Sequence, residues 1–406
     1  MVSTRRAADD PSPISHTVES MSHNAGLRAP AQPGDPVAAI DTPALVIDLD
    51  AMARNLAAMA AFASERGFRL RPHAKTHKSA AIAKLQMAAG AVGVCVQKLS
   101  EAEVLAEHGV PDIYISNEIV DEAKLARVAA LAGRIRLAIA VDSRTGIDRL
   151  AAALKAAGTR ADVFVEIDVG QGRCGTSPAA AGELALRVLS NGLHFAGLQA
   201  YHGGAQHLRS SAERQVAIEH AAALVRTALA SLAEACIQCP LVTGAGTGTF
   251  ALEAASGVWS ELQCGSYVFM DRDYADNHLA GPAPGMGQVA FEHALFVKSQ
   301  VMSVGAAHAV VDAGHKSHAI DSGMPGVWQG GFEFRNGGDE HGILSPVTQA
   351  DGRTAALPAI GDTVWLIPGH CDPTVNLHDR YVGVRGGLAH GVVESTWAVD
   401  ARGCLT

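Results

Sequence analysis

The hydrophobic pattern between residues 40 and 270 alternates between two kinds of segment. Short apolar runs are separated by longer stretches in which apolar residues recur every three or four positions, as they do on one face of a helix. Eight such strand–helix units in succession predict an α/β fold, a (β/α)8 TIM-like barrel. The predicted strands cover residues 68–71, 92–96, 112–116, 136–141, 163–168, 195–200, 241–243 and 262–264.

A doubly wound open sheet is the alternative architecture for alternating strands and helices. It would carry a Gly-x-Gly-x-x-Gly turn after an early strand. Such a turn does not follow the early strands of this sequence. The pattern therefore favours the barrel.

The pattern changes after about residue 290, where β-rich segments separated by Gly and Asp turns replace the helical spacing. Such segments predict an antiparallel β domain. Its predicted strands cover residues 294–301, 308–312, 327–334, 363–367, 381–384 and 391–398. An earlier apolar segment, residues 44–48, is interpreted as a strand of the same domain, with the barrel inserted after it.

These patterns divide the chain into a leader (1–36), a strand contributed to the β domain (37–52), the barrel (53–285) and the C-terminal β domain (286–406). The leader is rich in Ser, Pro, Ala and His and lacks the apolar segment of a secretory signal. We therefore interpret it as disordered, and expect a cytoplasmic protein.

Composition narrows the classes of partner. The chain of 406 residues has a net charge of -9 and no basic block, which argues against nucleic acid because phosphate binding needs clustered Lys and Arg. We find no apolar run of the roughly 20 residues that a membrane helix needs, and expect no membrane partner.

The seven cysteines are scattered and odd in number, which is not a disulfide framework. Cys236 and Cys239 form an isolated Cys-x-x-Cys; a redox or zinc role stays open, but buried free thiols are the simpler interpretation.

Lys75 lies where the first barrel strand ends, within the sequence RPHAKTHK of residues 71–78, and a helix is predicted from residue 79 to about 89. Residues at the carboxyl ends of barrel strands face the active-site mouth. A lysine there can hold an aldehyde cofactor as a Schiff base, because desolvation and nearby cations lower its pKa. A surface lysine in a basic turn is the alternative for this stretch alone.

The loop after the fifth strand, residues 168–175, is rich in glycine and delivers Arg173 into the mouth. An arginine that faces a pyridine nitrogen would keep that nitrogen unprotonated, because the guanidinium group does not release its proton. A salt-bridged arginine that caps the barrel is the alternative.

Titratable side chains follow the sixth strand, namely Tyr201, His202 and His207. Imidazole titrates near neutral pH, so acid–base catalysis is the favoured hypothesis, and packing or hydrogen bonding to the loop backbone is the alternative. Strands seven and eight are followed by the glycine-containing loops 244–249 and 265–267. Barrels often bind phosphate after these two strands, so the loops predict a phosphate site rather than plain turns.

A turn of the β domain, residues 368–379, contains His370 and Asp372 two positions apart. In an extended segment both side chains would point the same way, with Cys371 facing away. A His–Asp pair suits Mn²⁺, Mg²⁺ or Zn²⁺ better than a soft metal. Further polar groups in this turn are Asn376, His378 and Asp379.

Together these motifs resemble the fold type III pyridoxal phosphate enzymes, the alanine racemase-like group. Within it they resemble the branch of D-threonine aldolases, D-3-hydroxyaspartate aldolases and D-serine dehydratases, from about residue 41 to residue 403. The motifs are Arg-Pro-His-Ala-Lys ending at Lys75, Gly-Gln-Gly-Arg-Cys-Gly around Arg173, Leu-Gln-Ala-Tyr-His-Gly from Leu198, Gln-Cys-Gly-Ser-Tyr from Gln263 and Pro-Gly-His-Cys-Asp-Pro from Pro368.

The resemblance implies that Lys75 holds pyridoxal 5′-phosphate covalently, that Arg173 faces its pyridine nitrogen and that Tyr201 lines the cofactor. One departure is Ala245, where relatives often have glycine, and we expect it to matter little. The residues that the resemblance assigns to the cofactor phosphate are Gly246, Thr247, Gly248, Gly265, Ser266 and Tyr267.

The resemblance also implies a base and a metal site. His207 matches the histidine proposed as base in the aldolases, and His370 with Asp372 would hold a divalent metal, Mn²⁺ before Mg²⁺ or Zn²⁺. The dehydratase branch typically has His-x-Cys at the metal, so Asp372 favours an aldolase.

The implied reaction is retro-aldol cleavage of a β-hydroxy-D-amino acid such as D-threonine to glycine and an aldehyde, in a homodimer. A D-3-hydroxyaspartate aldolase, or a D-serine or 3-hydroxyaspartate dehydratase, is the alternative, and a racemase comes next. From other classes, a non-catalytic pyridoxal phosphate carrier and a phosphate-binding barrel without pyridoxal stay open.

Overall fold

The computed structural model describes residues 28–278, 289–348 and 352–406. Most of the predicted leader, and the predicted boundary at residue 285, therefore lie outside the described residues. The described end of the leader runs along the last strand of the chain. Ala31 is buried there, and the amide of Gly34 donates to the carbonyl oxygen of Val393 at 2.8 Å.

The predicted barrel is confirmed. A first strand, β1 (Ala44–Asp48), precedes eight parallel strands that are hydrogen-bonded in the order β2-β9-β8-β7-β6-β5-β4-β3. Their ends lie within two residues of the predicted ends. The strands are β2 (Arg69–Leu70), β3 (Val94–Val96), β4 (Asp112–Ile115), β5 (Arg136–Val141), β6 (Asp162–Glu166), β7 (His194–Ala200), β8 (Val242–Gly244) and β9 (Glu261–Leu262).

The barrel closes between β2 and β3. A bridge joins His73 to Cys95, and the amide of Val92 donates to the carbonyl oxygen of Leu70 at 2.9 Å. The amide of Cys95 also donates to the carbonyl oxygen of Pro72 at 2.8 Å. This closure places the residues that follow β2 on the rim of a ring rather than at the edge of an open sheet.

Helices lie between most barrel strands, because capping residues and the spacing of apolar residues favour a helix in the same segments. In the helix that begins at Arg144, the Ser143 side chain accepts a hydrogen bond from the Gly146 amide, and Gly158 ends the helix at φ 67°, where glycine is favoured. The helices are α1 (Leu49–Glu65), α2 (Ala80–Ala88), α3 (Leu99–Glu107), α4 (Glu122–Ala132), α5 (Arg144–Ala157), α6 (Ala181–Ser190), α7 (Ser211–Glu234), α8 (Phe250–Ala255), α9 (Arg272–Ala275), α10 (Cys371–Val375) and α11 (Gly387–His390).

A second sheet contains β1 and the strands that follow the barrel. Its main path is β13-β14-β11-β10-β1-β16-β17, and β15 joins it by pairing with β10 and β12. The strands are β10 (Leu295–Val304), β11 (Ala309–Val311), β12 (Gly326–Val327), β13 (Phe332–Asn336), β14 (Gly342–Pro346), β15 (Thr363–Ile367), β16 (Arg380–Arg385) and β17 (Val392–Ala398).

The second sheet departs from the prediction in three places. It is mostly rather than entirely antiparallel, because β1 pairs antiparallel with β10 and parallel with β16. The strand predicted at residues 327–334 is divided by Gly330 and Gly331, whose φ values of 71° and 76° make a turn that glycine adopts freely. The prediction omits β14, because Gly342 and Pro346 at its ends are typical of turns.

One apolar core joins the barrel to the second sheet. Met59 and Phe62 of α1, Leu295 of β10 and Tyr381 of β16 are at most 2% exposed and belong to the same cluster. Close packing of this kind resists sliding of one part against the other. The turn after β15 is therefore held in place over the carboxyl edge of the barrel.

α7 is the one helix in the described ranges that is long and apolar enough, by length and composition, to cross a membrane. It packs along α6 and buries a face that includes Ile218, Val225 and Leu232. Arg214 and Arg226 interrupt its apolar sequence. Its burial pattern is that of an outer helix of the barrel.

Candidate active site

Lys75 lies on a single 3-10 turn, Ala74–Thr76, that follows β2. His73 caps this turn, because its Nδ1 accepts a hydrogen bond from the Lys75 amide at 3.4 Å. The Lys75 side chain thus rises from the carboxyl edge of the barrel. Its Nζ forms an ion pair with Oδ2 of Asp372, and the side chain stays 38% exposed.

The pKa of Lys75 is raised above its ordinary value, so the expectation of a lowered pKa is wrong. Desolvation does lower the lysine pKa, but the Asp372 carboxylate, with Tyr201, more than offsets it. Burial would raise the pKa of Asp372, yet Lys75 and His370 hold that pKa well below its usual range. The prediction failed because it considered cations near Lys75 and not a carboxylate brought by the second sheet.

The loop that carries Lys75 is tied to the C-terminal segment. Nζ of Lys78 pairs with Oε1 of Glu101 at 2.9 Å and donates to the carbonyl oxygens of Ala401 and Cys404 at 3.3 and 3.4 Å. The amide of Ala401 donates back to the carbonyl oxygen of Lys78 at 3.0 Å. Both charged side chains are at most 8% exposed, so this is a buried ion pair that stabilises the loop.

We expect Lys78→Ala to lower the free energy of unfolding by about 3–5 kcal/mol, because it leaves the Glu101 carboxylate buried without its cation. Urea unfolding followed by circular dichroism measures the loss. Lys98→Ala is the matched control, since Lys98 is exposed beside Glu101, and it should cost less than about 0.5 kcal/mol. Equal losses in the two variants would contradict the assignment.

Arg173 and Tyr201 meet above the same mouth. The Arg173 guanidinium carbon lies 6.0 Å from the centre of the Tyr201 ring, within reach of a cation–π interaction. Burial raises the pKa of Tyr201, and Lys75 and Arg173 oppose that rise. The loop is held by Asp168, whose carboxylate accepts a hydrogen bond from the Gly170 amide at 2.9 Å. The structure therefore brings Lys75, Arg173 and Tyr201 together.

The loop after β8 is shaped by Gln206. A Cβ at Gly246 would lie 2.5 Å from the Gln206 side chain, and the Gly248 amide donates to Oε1 of Gln206 at 3.0 Å. Glycine is thus needed here for close packing as well as for any anion. Ala245 has a φ of 71°, a left-handed conformation that costs an L-residue about 1 kcal/mol, so the departure at this position does matter for the backbone.

The loop after β9 contacts both the β8 loop and the Lys75 turn. The amide of Tyr267 donates to Oγ1 of Thr247 at 3.0 Å, and a Cβ at Gly265 would lie 2.8 Å from the carbonyl oxygen of His73. The Tyr267 side chain is 1% exposed and points into the core, where its hydroxyl accepts a hydrogen bond from Gln86 at 3.3 Å. Only the backbone of Tyr267 faces this loop.

Ser266 lies at the start of the same 3-10 turn and is 5% exposed. Its side chain hydrogen-bonds the Tyr274 hydroxyl, whose pKa is raised well above its usual range by burial. Tyr274 is also close enough to feel the charges of Tyr201 and Asp372. Ser266 therefore links the predicted phosphate loops to α9, the helix that carries Tyr274.

His370 and Asp372 converge over the mouth. Nε2 of His370 lies 4.0 Å from Oδ1 of Asp372, and Nδ1 of His370 pairs with Oδ2 of Asp321 at 2.7 Å. Oδ1 of Asp372 is buried and has no hydrogen-bond partner within the described ranges. A group of three or more His, Cys, Asp and Glu ligands is not found among those residues. The site therefore offers one imidazole nitrogen and one unsatisfied carboxylate oxygen.

Contrary to the prediction from the sequence, His370 and Asp372 do not converge through an extended segment. α10 begins at Cys371, so only His370 is extended and Asp372 lies in the first turn of a helix. Cys371 is fully buried and faces away, as predicted. The remaining polar residues of the turn do not join the pair. Nε2 of His378 bonds the carbonyl oxygen of Ser317 at 2.8 Å, and Asn376 and Asp379 contact residues of the C-terminal segment.

His207 is held by a buried carboxylate. Its Nδ1 pairs with Oδ2 of Asp273 at 2.6 Å, while the imidazole stays 51% exposed and Asp273 only 4%. Hydrogen bonding to Asp273 raises the pKa of His207 above its ordinary value, against desolvation and the charge of Arg209. Asp273 also donates its amide to the carbonyl oxygen of Gly369 at 3.1 Å, next to His370. The helix that carries Asp273 is thus bound to the turn that contains His370 and Asp372.

His202 lies apart from this arrangement. Its Nδ1 accepts a hydrogen bond from the Ala205 amide at 3.3 Å, and burial lowers its pKa. Its contacts are with the loop backbone, which is the alternative that the sequence left open. The cysteines are all free, and Cys236 of the Cys-x-x-Cys is exposed while Cys239 is half-buried, so the interpretation as buried thiols is wrong for Cys236.

Sequence reasoning missed several residues of the site. These are Asp273 and Arg209 behind His207, Asp321 behind His370, and Asp271, which caps α9 through the Tyr274 amide and accepts the Cys371 amide at 2.9 Å. Asp271 and Asp273 lie in the sequence Met-Asp-Arg-Asp-Tyr soon after the last barrel strand. Their position after a barrel strand is the signal that could have identified them.

A barrel with a lysine after its first strand and a second sheet reaching over the mouth defines the alanine racemase-like class of proteins, a fold that implies pyridoxal phosphate. The family model for the alanine racemase N-terminal domain matches residues 47–273, and that for a putative serine dehydratase domain matches residues 294–384. The chain is 45% identical over 384 residues to a D-threonine aldolase of Arthrobacter, covering 93% of this chain and 97% of the relative.

A second relative and a solved structure are similar to this chain in the same way. A 3-hydroxy-D-aspartate aldolase of Paracoccus denitrificans is 42% identical over 387 residues, 94% of this chain and 97% of the relative. The crystal structure of D-threonine aldolase from Filomicrobium marinum is 48% identical, with a TM-score of 0.87 over 93% of this chain and 100% of that one. The chain therefore belongs to the alanine racemase-like family, in the group of D-threonine and 3-hydroxy-D-aspartate aldolases.

Proposed function

We propose that this protein cleaves β-hydroxy-D-amino acids of the D-threonine type to glycine and an aldehyde, with pyridoxal 5′-phosphate and a divalent metal. It is a carbon–carbon lyase like the D-threonine aldolases. One observation carries the proposal. The amine of Lys75, the unsatisfied Asp372 oxygen beside His370, and the carboxylate-supported imidazole of His207 are all held around one barrel mouth.

The described residues fit the cofactor. Lys75 presents a half-exposed amine, and Arg173 and Tyr201 stand beside it. Lys75 would hold the aldehyde carbon and Arg173 the pyridine nitrogen, while the loop residues Gly246, Thr247, Gly248, Gly265, Ser266 and Tyr267 would hold the phosphate. Bound pyridoxal phosphate withdraws electrons from the substrate Cα, which weakens the bonds to that carbon.

The described residues also fit a divalent cation. The buried Oδ1 of Asp372 has no hydrogen-bond partner within the described ranges, and the cost of burying it is relieved if a cation binds there. Asp321 on Nδ1 of His370 leaves Nε2 as the ligand atom and orients the ring. Nitrogen and oxygen ligands suit Mn²⁺, Mg²⁺ or Zn²⁺ better than a soft metal, and the order with Mn²⁺ first rests on the family resemblance. Such a cation supplies Lewis acidity to a substrate hydroxyl.

His207 supplies the base. Its Nδ1 is occupied by Asp273, so Nε2 is the nitrogen that can accept a proton from the β-hydroxyl of the substrate. Loss of that proton turns the hydroxyl into a carbonyl as the Cα–Cβ bond breaks, and the aldehyde leaves. The electron pair of the broken bond stays with Cα, which takes up a proton from water to give glycine. The ion pair with Asp273 then stabilises the protonated imidazole.

Product analysis tests the proposal. We expect D-threonine to give equimolar glycine and acetaldehyde, detected by amino-acid analysis and by an alcohol dehydrogenase coupled assay. D-3-hydroxyaspartate and D-serine should be compared at equal concentration, because one relative is a 3-hydroxy-D-aspartate aldolase and one matching model is of a serine dehydratase domain. A 2-oxo acid with ammonia, instead of glycine, would establish the dehydratase alternative and exclude the aldolase.

We also propose a division of roles between the domains, a cellular compartment and an oligomeric state. We place the cofactor on the barrel (53–285), and the metal on the second sheet (286–406) together with the strand of residues 37–52. The free state of the seven cysteines supports a reducing compartment such as the cytoplasm. The homodimer rests on the family resemblance, and light scattering after size-exclusion chromatography tests it.

A further inference from the structure

The hydrogen bonds behind His207 form a closed set. One carboxylate oxygen of Asp273 pairs with Nδ1 of His207 at 2.6 Å, and the other pairs with Nη2 of Arg209. Nη1 of Arg209 donates to the carbonyl oxygen of Asp273 and to Oδ1 of Asn277 at 2.9 Å. Nδ2 of Asn277 donates at 2.9 Å to the carbonyl oxygen of Gln206, the residue before His207. The imidazole, the carboxylate and the guanidinium are therefore fixed relative to one another.

The location of Asp273 makes this arrangement rigid. It lies on α9, a short helix capped by Asp271, and the Asp271 carboxylate also accepts the amide of Cys371. Asp273 is 4% exposed, and its amide is bound to the carbonyl oxygen of Gly369. A buried carboxylate without a cation would be costly, and here two cationic groups compete for it.

We propose that Asp273 and Arg209 are positioning residues for His207: Asp273 fixes which ring nitrogen faces the substrate, and Arg209 limits how tightly that carboxylate can hold a proton on the imidazole. The inference rests on the proposed role of His207 as base. A base must release its proton after each turnover, and an Asp273 carboxylate facing His207 alone would hold that proton more tightly. Sharing the carboxylate with Arg209 weakens this hold.

Each charged group near His207 either raises or lowers the pKa of its imidazole. Asp273 and Asp271 favour the protonated ring, whereas Arg209 and desolvation disfavour it, and the net result is a raised pKa. The Tyr274 ring, 6.1 Å away, carries a hydroxyl whose own pKa is raised well above its usual range, so it stays neutral. Removal of Arg209 takes away a repelling charge and frees Asp273, and both changes raise the His207 pKa.

The test is a histidine titration by two-dimensional ¹H–¹³C NMR on the full-length protein, with the His207 signal assigned by its loss in His207→Gln. The wild-type pKa should lie above 6.5, the ordinary value for histidine. In Arg209→Met it should rise by about one further unit, and in Asp273→Asn it should fall below the wild-type value by about one unit. Arg209→Lys keeps the charge and should restore a value near the wild type.

The pH profile of kcat/KM for D-threonine cleavage provides the second readout. Because the base works unprotonated, the acidic limb should move to higher pH in Arg209→Met and to lower pH in Asp273→Asn. Asp273→Asn should also lose roughly 100-fold at its plateau, since the ring is no longer held in the correct tautomer. Arg272→Met is the matched control: it removes an exposed guanidinium of the same helix that pairs with Asp276, and should leave the His207 pKa unchanged.

The two readouts separate the possible failures. A His207 pKa in Arg209→Met within about 0.3 units of the wild type would overturn the proposal, because the guanidinium would then not restrain the proton. If the NMR shifts occur as expected but the acidic limb stays in place, the positions of Asp273 and Arg209 are supported and His207 is not the base. Matching shifts in both readouts support the two proposals together.

Discussion

Replacing Lys75 by alanine should abolish D-threonine cleavage and the visible absorption of the cofactor at the same time. The amine of Lys75 stands at the end of β2 in the mouth, and a covalent link through that amine cannot form in the variant. The expected loss of kcat/KM is roughly a thousandfold or more, as for other covalent catalysts that lack their nucleophile. Absorption spectra and steady-state rates, measured on the same preparation, check both effects.

Two controls keep this test specific. Lys75→Arg retains a cation opposite the buried Asp372, so it should fold normally and still lack the covalent link. Lys84→Ala removes an exposed lysine of the adjacent helix α2 and should keep absorption and rate unchanged. Borohydride reduction of the wild type, followed by peptide mapping, should place the pyridoxyl group on Lys75. A label on any other lysine would refute the assignment.

Removal of divalent metal should abolish cleavage while the bound cofactor remains. Oδ1 of Asp372 has no hydrogen-bond partner in the described residues and faces Nε2 of His370, so both atoms are placed to hold a cation. Loss of its Lewis acidity at the substrate hydroxyl should lower kcat by roughly 100-fold or more. Exhaustive dialysis against EDTA, with metal analysis by mass spectrometry, measures the dependence. Activity should return with Mn²⁺, and its return with Mg²⁺ or Zn²⁺ identifies the alternatives.

A pair of histidine variants localises the metal. His370→Gln should lose bound metal, whereas His378→Gln should retain it, because His378 lies in the same turn but bonds the carbonyl oxygen of Ser317. Both histidines contribute to the local fold, so the free energy of unfolding of each variant should be measured alongside. Full activity after complete chelation, or equal metal loss in both variants, would show that His370 and Asp372 do not form the site.

The fold was largely predictable because its signals are local. Alternation of apolar runs and helical spacing gave all eight barrel strands, and the lysine was found because it follows the first of them. The second sheet was harder. β14 was omitted because Gly342 and Pro346 bound it. Residues 327–334 were predicted as one strand because both ends of the segment are apolar, although a glycine turn separates them.

The site was predictable only where one short segment carries it. The convergence of His370 and Asp372 was predicted from their spacing, although the helix that brings them together was not. Asp273 lies 66 residues from His207, and Asp321 lies 49 residues from His370. Tertiary packing brings such partners together, and the local sequence pattern does not report on contacts between residues so far apart in the chain. The same limit explains the wrong sign for the Lys75 pKa, whose main cause, Asp372, is 297 residues away.

The ion pair between Lys75 and Asp372 would couple attachment of the cofactor to binding of the divalent cation. A single carboxylate faces both an ammonium group and the imidazole of His370, so an ammonium bound there competes with any divalent cation. If an aldehyde cofactor took up the amine as an imine, the free ammonium group would be lost and that competition would weaken. Thermodynamic linkage then requires each reaction to favour the other by the same factor. Protein reconstituted with cofactor should consequently retain its cation more tightly than cofactor-free protein, and purification without added vitamin B6 would deplete both together.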